Sequence, residues 1–543
     1  MPSNAARHTG SWFDRLAAAV YPSALYGLAL REQVPSRLQC LPPAPWPGDI
    51  EQGRACLAGR LVCGGKTIDP EHLDWHAESL GPHALRELHG FAWLGDLAAV
   101  GDEAAQAQAR RLIESWLSAE QQWHPIASAP GVIGQRIASW LAHAAFFSHG
   151  PDDELGPHIL GSLARQGRHL ARTVGRCDGL DRLLAMRGII YAACCGIGDM
   201  QRADRALRFL RREIHRQVLE DGGHAGRSPA GLLTALATLV DIRDMAHIAG
   251  ATIPQEVNSA IERMAILLRF FRHGDGRLAL FNSADEQDAA FIDAVLSRSG
   301  APRQAAAMAQ QSGFQRLQAG QVLVFMDVGR PPPPGFDRAA HAGALSFEMS
   351  CGRERVIVNC GAAPVADPAW RLAQRATAAH STLVVNDTNS AEIAMDGSIG
   401  RGPATVECAR DEGDGSIWIT ASHDGYKPLF GLVHRRRLYL SRDGEDLRGE
   451  DTLTGQHAGS FAARFHLHPD VQVSIIQNGA AALLRTPSGA AWRFLVKGGK
   501  LDLAETVYLG RPGEIKRSEQ IVISGPVSNG ATIKWAIRRV AKT

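Results

Sequence analysis

Near residue 313 the chain changes its period. Before that point apolar residues recur at i, i+3, i+4 and i+7, as in ALRELHGFAWLGDLAAV, EAAQAQARRLIESWLSA, GVIGQRIASWLAHAAFF, LGSLARQGRHLARTV, LDRLLAMRGIIYAACC and SPAGLLTALATLVDIRDMAHIAG, which predicts one helix after another. After it, QVLVFMDV, ALSFEMSC, RVIVNCG, HSTLVVND, SIWITASHDG, HRRRLYLSR, DLRGEDTL, AARFHLHP, VQVSIIQ, AALLRT, WRFLVKG and ATIKWAIRRV alternate apolar with polar, which predicts strands. A chain of 543 residues exceeds what one hydrophobic core supports, so the change of period reads as a change of domain.

Gly101-Asp102, Pro151-Asp152, Gly196-Ile197-Gly198 and Asp221-Gly222-Gly223 punctuate the helical half as tight turns between helix pairs. Short Gly, Asp and Asn turns make the second half an antiparallel sandwich rather than a series of βαβ units, with Pro331–Pro334 as a stiff loop after its first strand. The expected organisation is α+β and multidomain: an N-terminal extension over 1–83, an α/α toroid of helical hairpins over 84–312 and a β-sandwich over 313–543. Periodicity alone leaves open whether the hairpins close into a ring.

Lys+Arg number 58 against 56 Asp+Glu, a net charge of +2 that gives no global field for nucleic acid. No apolar run reaches the length of a membrane span, and residues 12–31 read as an amphipathic helix packed on the domain, with a membrane surface as the alternative, rather than as a signal peptide. Nine cysteines without a CxxC pair suggest a reducing compartment, so a cytoplasmic location is expected. There is no P-loop, no G-x-G-x-x-G after a strand and no G-x-S-x-G elbow, which leaves nucleotide chemistry and serine hydrolysis without support. Glu220 and Asp221 are adjacent and diverge, unlike the flanking carboxylates of a glycan hydrolase.

Three stretches of the second half, HAGALSFEMSCGRERVIVNCG (341–361), RATAAHSTLVVND (375–387) and ARFHLHP (463–469), resemble heparinase II/III-type polysaccharide lyases. DGGHAGRSP (221–229) and WHPIASAPGVIGQRIASWL (123–141) resemble segments of that family's toroid. The resemblance implies β-elimination on an acidic, uronic-acid-containing glycan in a groove between toroid and sandwich, no required cofactor, a structural zinc held by two His and a carboxylate, and a periplasmic location as the alternative to the cytoplasm.

Against the family pattern H-A-H-A-D this chain has Ala339, His341 and Gly343. The zinc positions become His341, Asn359 and His380, and because zinc prefers His, Cys or carboxylate to a neutral amide, little bound zinc is expected. The family's Asn-His pair falls on Gly179-Leu180-Asp181-Arg182 and its tyrosines on Ala230-Gly231 and about Ala373, so the usual phenols are missing. For the catalytic roles that leaves His341, His224 in its Gly-rich turn, Arg182 as a guanidinium able to grip a carboxylate, and Tyr426 as the best remaining phenol. Arg227, Arg371 and Arg375 are the expected contacts to an anionic substrate. Each has a plainer alternative: a hydrogen-bonded buried pair for His341 and His380, an exposed turn residue with no role for His224, a core tyrosine for Tyr426, a helix salt bridge for Arg182 and solvated surface heads for the arginines. The expectation is therefore a lyase, with a catalytically altered glycan-binding module as the alternative.

Overall fold

The computed structural model describes residues 20–541 apart from 22, 31–33, 121, 149–154 and 363–366. The chain forms two compact units, Met1–Leu210 with Asp241–Pro254, and Arg211–Val240 with Gln255–Thr543. Half of the expected 12–31 helix lies outside the described residues; within the rest Ala24–Ala29 is helical, capped by the Ser23 hydroxyl, which accepts from the Tyr26 N–H. The turn expected at Pro151-Asp152 also lies outside them.

The first unit is built of helices, including Gly81–Gly90, Leu94–Val100, Glu103–Ala119, Pro130–Ala142, Leu155–Thr173 and Gly179–Cys194. Their ends follow from local chemistry. Leu94–Val100 stops at Gly101, whose φ of 74° is open to glycine at little cost, and the next helix starts at Asp102, whose carboxylate accepts from the Ala105 N–H at 2.8 Å. Pro130–Ala142 and Gly179–Cys194 pack backbone to backbone. A Cβ on Gly134 would stand 2.2 Å from the Leu184 carbonyl oxygen, and one on Gly188 would stand 2.5 Å from the Gly134 Cα. No helix among the described residues is long and apolar enough to cross a membrane.

In the second unit the helices Gln255–Phe270 and Ala289–Ser299 precede the strands, which begin at Met308. Among the described residues one sheet has eight strands, in the order Gln472–Ile476, Ala481–Arg485, Ala491–Lys497, Ala531–Arg539, Asp446–Thr454, Val433–Leu440, Ser416–His423, Val406–Gly413. The other runs Lys500–Arg511, Glu514–Ser528, Ala458–Leu467, Glu354–Val358, Phe347–Cys351, Val322–Asp327, Phe314–Ala319, Met308–Ala309, with Leu383–Val385 paired to Ala458–Leu467. The register within both is antiparallel. Inward residues of the two sheets share one core, in which Phe347 and Phe465 of one meet Trp535 and Phe494 of the other, with Phe347 and Trp535 stacked at 5.4 Å. Val433–Leu440 shows the alternation: His434, Arg436, Leu438 and Leu440 point in, Arg435 and Arg437 out. Arg436 is fully buried because Asp451, on the neighbouring strand, meets it at 2.7 and 3.1 Å.

Candidate functional site

His341 lies in the segment leading into Phe347–Cys351, and His380 follows the short turn Thr377–Ala379. Their rings meet, His341 Nδ1 to His380 Nε2 at 2.9 Å. The partners at either end fix the protons. The Ala376 carbonyl can only accept, so His380 Nδ1 carries a hydrogen, 2.7 Å away. The Ser283 backbone N–H can only donate, so His341 Nε2 is the acceptor, at 2.9 Å. His341 Nδ1–H therefore donates to His380 Nε2, and the pair is neutral. Burial drives both in that direction, His341 well below the usual imidazole range and His380 down to about 4.

The segment that supplies the Ser283 N–H is itself unusual, since Asn282 and Ser283 have φ of 48° and 57°. The Asn282 side chain holds it by accepting from the His341 N–H and donating to the Arg227 carbonyl, both at 3.0 Å. Arg227 is buried with Asp327: it donates to that carboxylate at 2.5 Å and to the carbonyls of Ser312, Arg330 and Gly313. Burial raises the Asp327 carboxyl and Arg227 opposes the shift. Arg375 is likewise turned inward, donating to the carbonyls of Ala340 and Gly397 at 2.7 and 2.8 Å. Arg371 is exposed on the helix Pro368–Ala373.

The other expected residues have protein partners of their own. The Tyr426 hydroxyl, fully buried, donates to the Leu383 carbonyl at 2.9 Å, and burial raises the phenol well above its ordinary value. His224 accepts from the Gly226 N–H on Nδ1 and so turns Nε2–H toward the Gln217 carbonyl oxygen; burial brings it down to about 4. In the first unit Arg182 donates to the Cys177 carbonyl at 2.6 Å and pairs with Asp178 at 3.0 Å. Asp181, its sequence neighbour, pairs with Arg86 instead.

Asn359 accepts from the Ser381 N–H through Oδ1 and donates to the Leu280 carbonyl through Nδ2. Zinc requires several lone pairs converging on one point. Here the lone pair of His341 Nε2 faces Ser283, that of His380 Nε2 faces His341, and the amide oxygen faces Ser381. As arranged, the three residues do not fit the ion, and among the described residues no group of three or more His, Cys, Asp or Glu converges elsewhere.

The first unit holds a cavity of about 880 Å³, a size suited to a small or oligomeric ligand. Its walls come from the Ala24–Ala29 helix, the end of Glu103–Ala119, the start of Pro130–Ala142 and one side of Leu155–Thr173. Arg136, 2% exposed, lies over the Trp116 ring at 4.3 Å and donates to Gln166 and to the carbonyls of His89 and Ala127. Glu120 accepts from Ser162 and from the half-exposed Arg165 at 2.8 and 2.9 Å. The Tyr26 hydroxyl meets His169 Nδ1 at 2.8 Å. Burial brings His169 down to about 4, against a raising effect of the Ser128 carbonyl, and raises the Tyr26 phenol. His169 Nε2 makes no hydrogen bond of normal geometry with a described residue, and neither does the buried Trp123 Nε1. At neutral pH the cavity thus offers a neutral imidazole, a protonated phenol, a guanidinium and aromatic faces. Sequence reading passed over Tyr26 and His169 because they lie 143 residues apart and in no common motif.

The model of the heparinase II/III-like C-terminal domain matches residues 301–536. The fold is similar to that of heparinase III, with a TM-score of 0.75 at 13% identity over 98% of this chain and 91% of that one. It is also similar to a mutant of heparan sulfate lyase HepC from Pedobacter heparinus, with a TM-score of 0.64 at 15% identity over 99% and 92%. These likenesses show the expected fold class, an α/α toroid followed by an antiparallel β-sandwich. FtsZ-localized protein C of Caulobacter vibrioides is 30% identical over 539 residues, 93% of this chain and 91% of that protein. The chain belongs to the heparinase II/III family.

Proposed function

We propose that this chain acts on an acidic, uronic-acid-containing glycan held in the cavity of its first unit, and that the reaction is β-elimination. The observation that carries the reading is the Tyr26–His169 pair, 2.8 Å apart in the wall of the cavity of about 880 Å³. β-Elimination needs a base for the C5 proton, an acid for the leaving oxygen and a cation or amide for the C6 carboxylate. His169, neutral at physiological pH, supplies the first. Tyr26, whose phenol burial keeps protonated, supplies the second. Arg165 supplies the third. An imidazole at about 4 is a weak base, and the substrate's own carboxylate would raise it toward neutrality on binding. The lyase fold supports this reading, and the relative's name supports a cytoplasmic place of action organised by FtsZ.

A second reading, binding without cleavage, is favoured by the condition of His341, His224 and Tyr426, each of which has its polar atoms taken by protein partners. One experiment separates the two: incubation with a panel of uronic-acid polysaccharides while following the absorbance of the unsaturated product. The lyase reading expects product from at least one member, and a loss of at least about 100-fold in turnover for His169→Ala and for Tyr26→Phe. Tight binding of a member with no product would establish the binding module instead, and neither outcome on any acidic glycan would refute both.

A further inference from the structure

The solvent face of the eight-stranded sheet carries a pattern that sheet stability does not explain. Across five strands one row reads Trp418, Tyr439, Arg448, Ala536, Leu495, each residue in register with the next. On one side of it lies the row Arg437, Glu450, Lys534, Lys497, and on the other Asp446, Arg538, Arg493. Lys534 stands directly opposite Lys497, and Arg538 opposite Arg493. Like charges in direct cross-strand register destabilise a sheet. Carboxylates are fewer than cations here: Glu450 is shared by Arg435, Arg437 and Lys534, Asp446 by Arg448 and Arg538, and Asp411 stands in register with Trp418 at the end of the central row. The central row opens into a groove of about 440 Å³, at whose edge Trp418 is 38% exposed.

We propose that this face is the docking surface for an acidic segment of a partner protein, bound in extended conformation across the strands. The missing negative charge is the ligand's, and the inference is independent of the glycan reading. Length agrees: five strands about 4.8 Å apart span roughly 19 Å, the reach of about six extended residues. Side chains of an extended segment alternate between its two edges, so acidic residues at successive positions meet the two basic rows in turn. The aromatic chemistry favours a peptide over a sugar. Arg437 already lies over the Trp418 ring and Arg448 over the Tyr439 ring, both at 5.4 Å, so a pyranose stacking on that side of either ring would have to displace a guanidinium. Trp, Tyr and Arg together are the residue set from which protein–protein hot spots are made.

The test uses the whole chain and a fluorescein-labelled glutamate-rich peptide, followed by fluorescence anisotropy at two salt concentrations. Binding should be present, weaken at the higher salt, fall at least about tenfold in R437E/K534E and fall several-fold in W418A. It should be unchanged in K516E/R517E, which alters net charge equally on the hairpin Lys500–Arg511/Glu514–Ser528. Thermal melting verifies that each variant is folded, and R437Q/K534Q replaces the reversal should that variant not fold. No binding, an equal loss in both double variants, or binding at this face of an acidic oligosaccharide in place of the peptide would each overturn the proposal.

Discussion

At the scale of single residues, the pattern of hydrogen bonds rather than residue type decides what a side chain can do. His341 and His380 occupy positions at which the family resemblance implies a bound ion, yet each ring's lone pair is taken, one by a backbone N–H and one by the other ring. With an amide at 359 in place of an anionic ligand, we expect purified protein to contain well under one zinc per chain by elemental analysis, and added zinc to leave the melting temperature unchanged. Stoichiometric zinc would show that the two imidazoles turn to face it. Arg227 allows a sharper energetic expectation. Its guanidinium neutralises buried Asp327 and satisfies three carbonyls, so Arg227→Ala leaves an uncompensated buried acid. The loss should be about 3–5 kcal/mol, read by chemical denaturation. Arg227→Lys should recover only part of it, because an ammonium cannot reach four acceptors in the same fork.

At the scale of elements, what was legible depended on whether one face of an element decides its burial. Glu103–Ala119 and Val433–Leu440 were readable because a single stripe or a single face is buried and the sequence period records it. The long hairpin of Lys500–Arg511 and Glu514–Ser528 was not: its burial does not alternate cleanly, its turn end is exposed, and KRSE and GPVS look like loop. The catalytic candidates marked by family spacing were legible as positions but not as environments, since nothing in HAGALSF says that Ser283 will cap His341. The cavity pair of Tyr26 and His169 left no trace at all, because their approach is set by how helices pack. That packing depends on glycine in a way composition does not reveal. Gly134 sits against the backbone of Gly179–Cys194, whereas Gly156 has nothing within 4 Å of where a Cβ would be. Gly134→Ala should therefore cost about 1–3 kcal/mol by overpacking, and Gly156→Ala, relieved only of helix entropy, should be neutral or stabilising by up to about 1 kcal/mol. Equal effects of the two in thermal melts would mean that the helices can separate at no cost.

For the whole molecule, the most general consequence is a dependence on pH set by histidines rather than carboxylates. Burial lowers His89 and His466 to about 3 and His169, His224 and His380 to about 4, and it also lowers His341 and His423. In the unfolded chain each returns to about 6.5. Between those values the unfolded state binds protons that the folded state refuses, so stability is complete above about pH 6.5 and falls as the pH drops toward about 4. Asp327 and Asp96 run the other way, since burial raises both and their folded forms take up protons first. Two such groups offset only part of seven. Asp451 and Glu286 add a separate loss at still lower pH: burial alone would raise them, but the cations and hydrogen bonds around them outweigh it and hold both well below the usual range. Their contribution is present above about pH 4, the unfolded carboxylate value, and disappears as the pH falls below it. Melting temperature should therefore decline steadily from pH 7 to pH 5, where ordinary carboxylates are still ionised and a protein without buried neutral imidazoles would show a plateau. A flat profile across that interval would mean that these histidines are protonated in the folded chain, and with it the neutral relay from Ser283 through His341 and His380 to Ala376 would have to be abandoned.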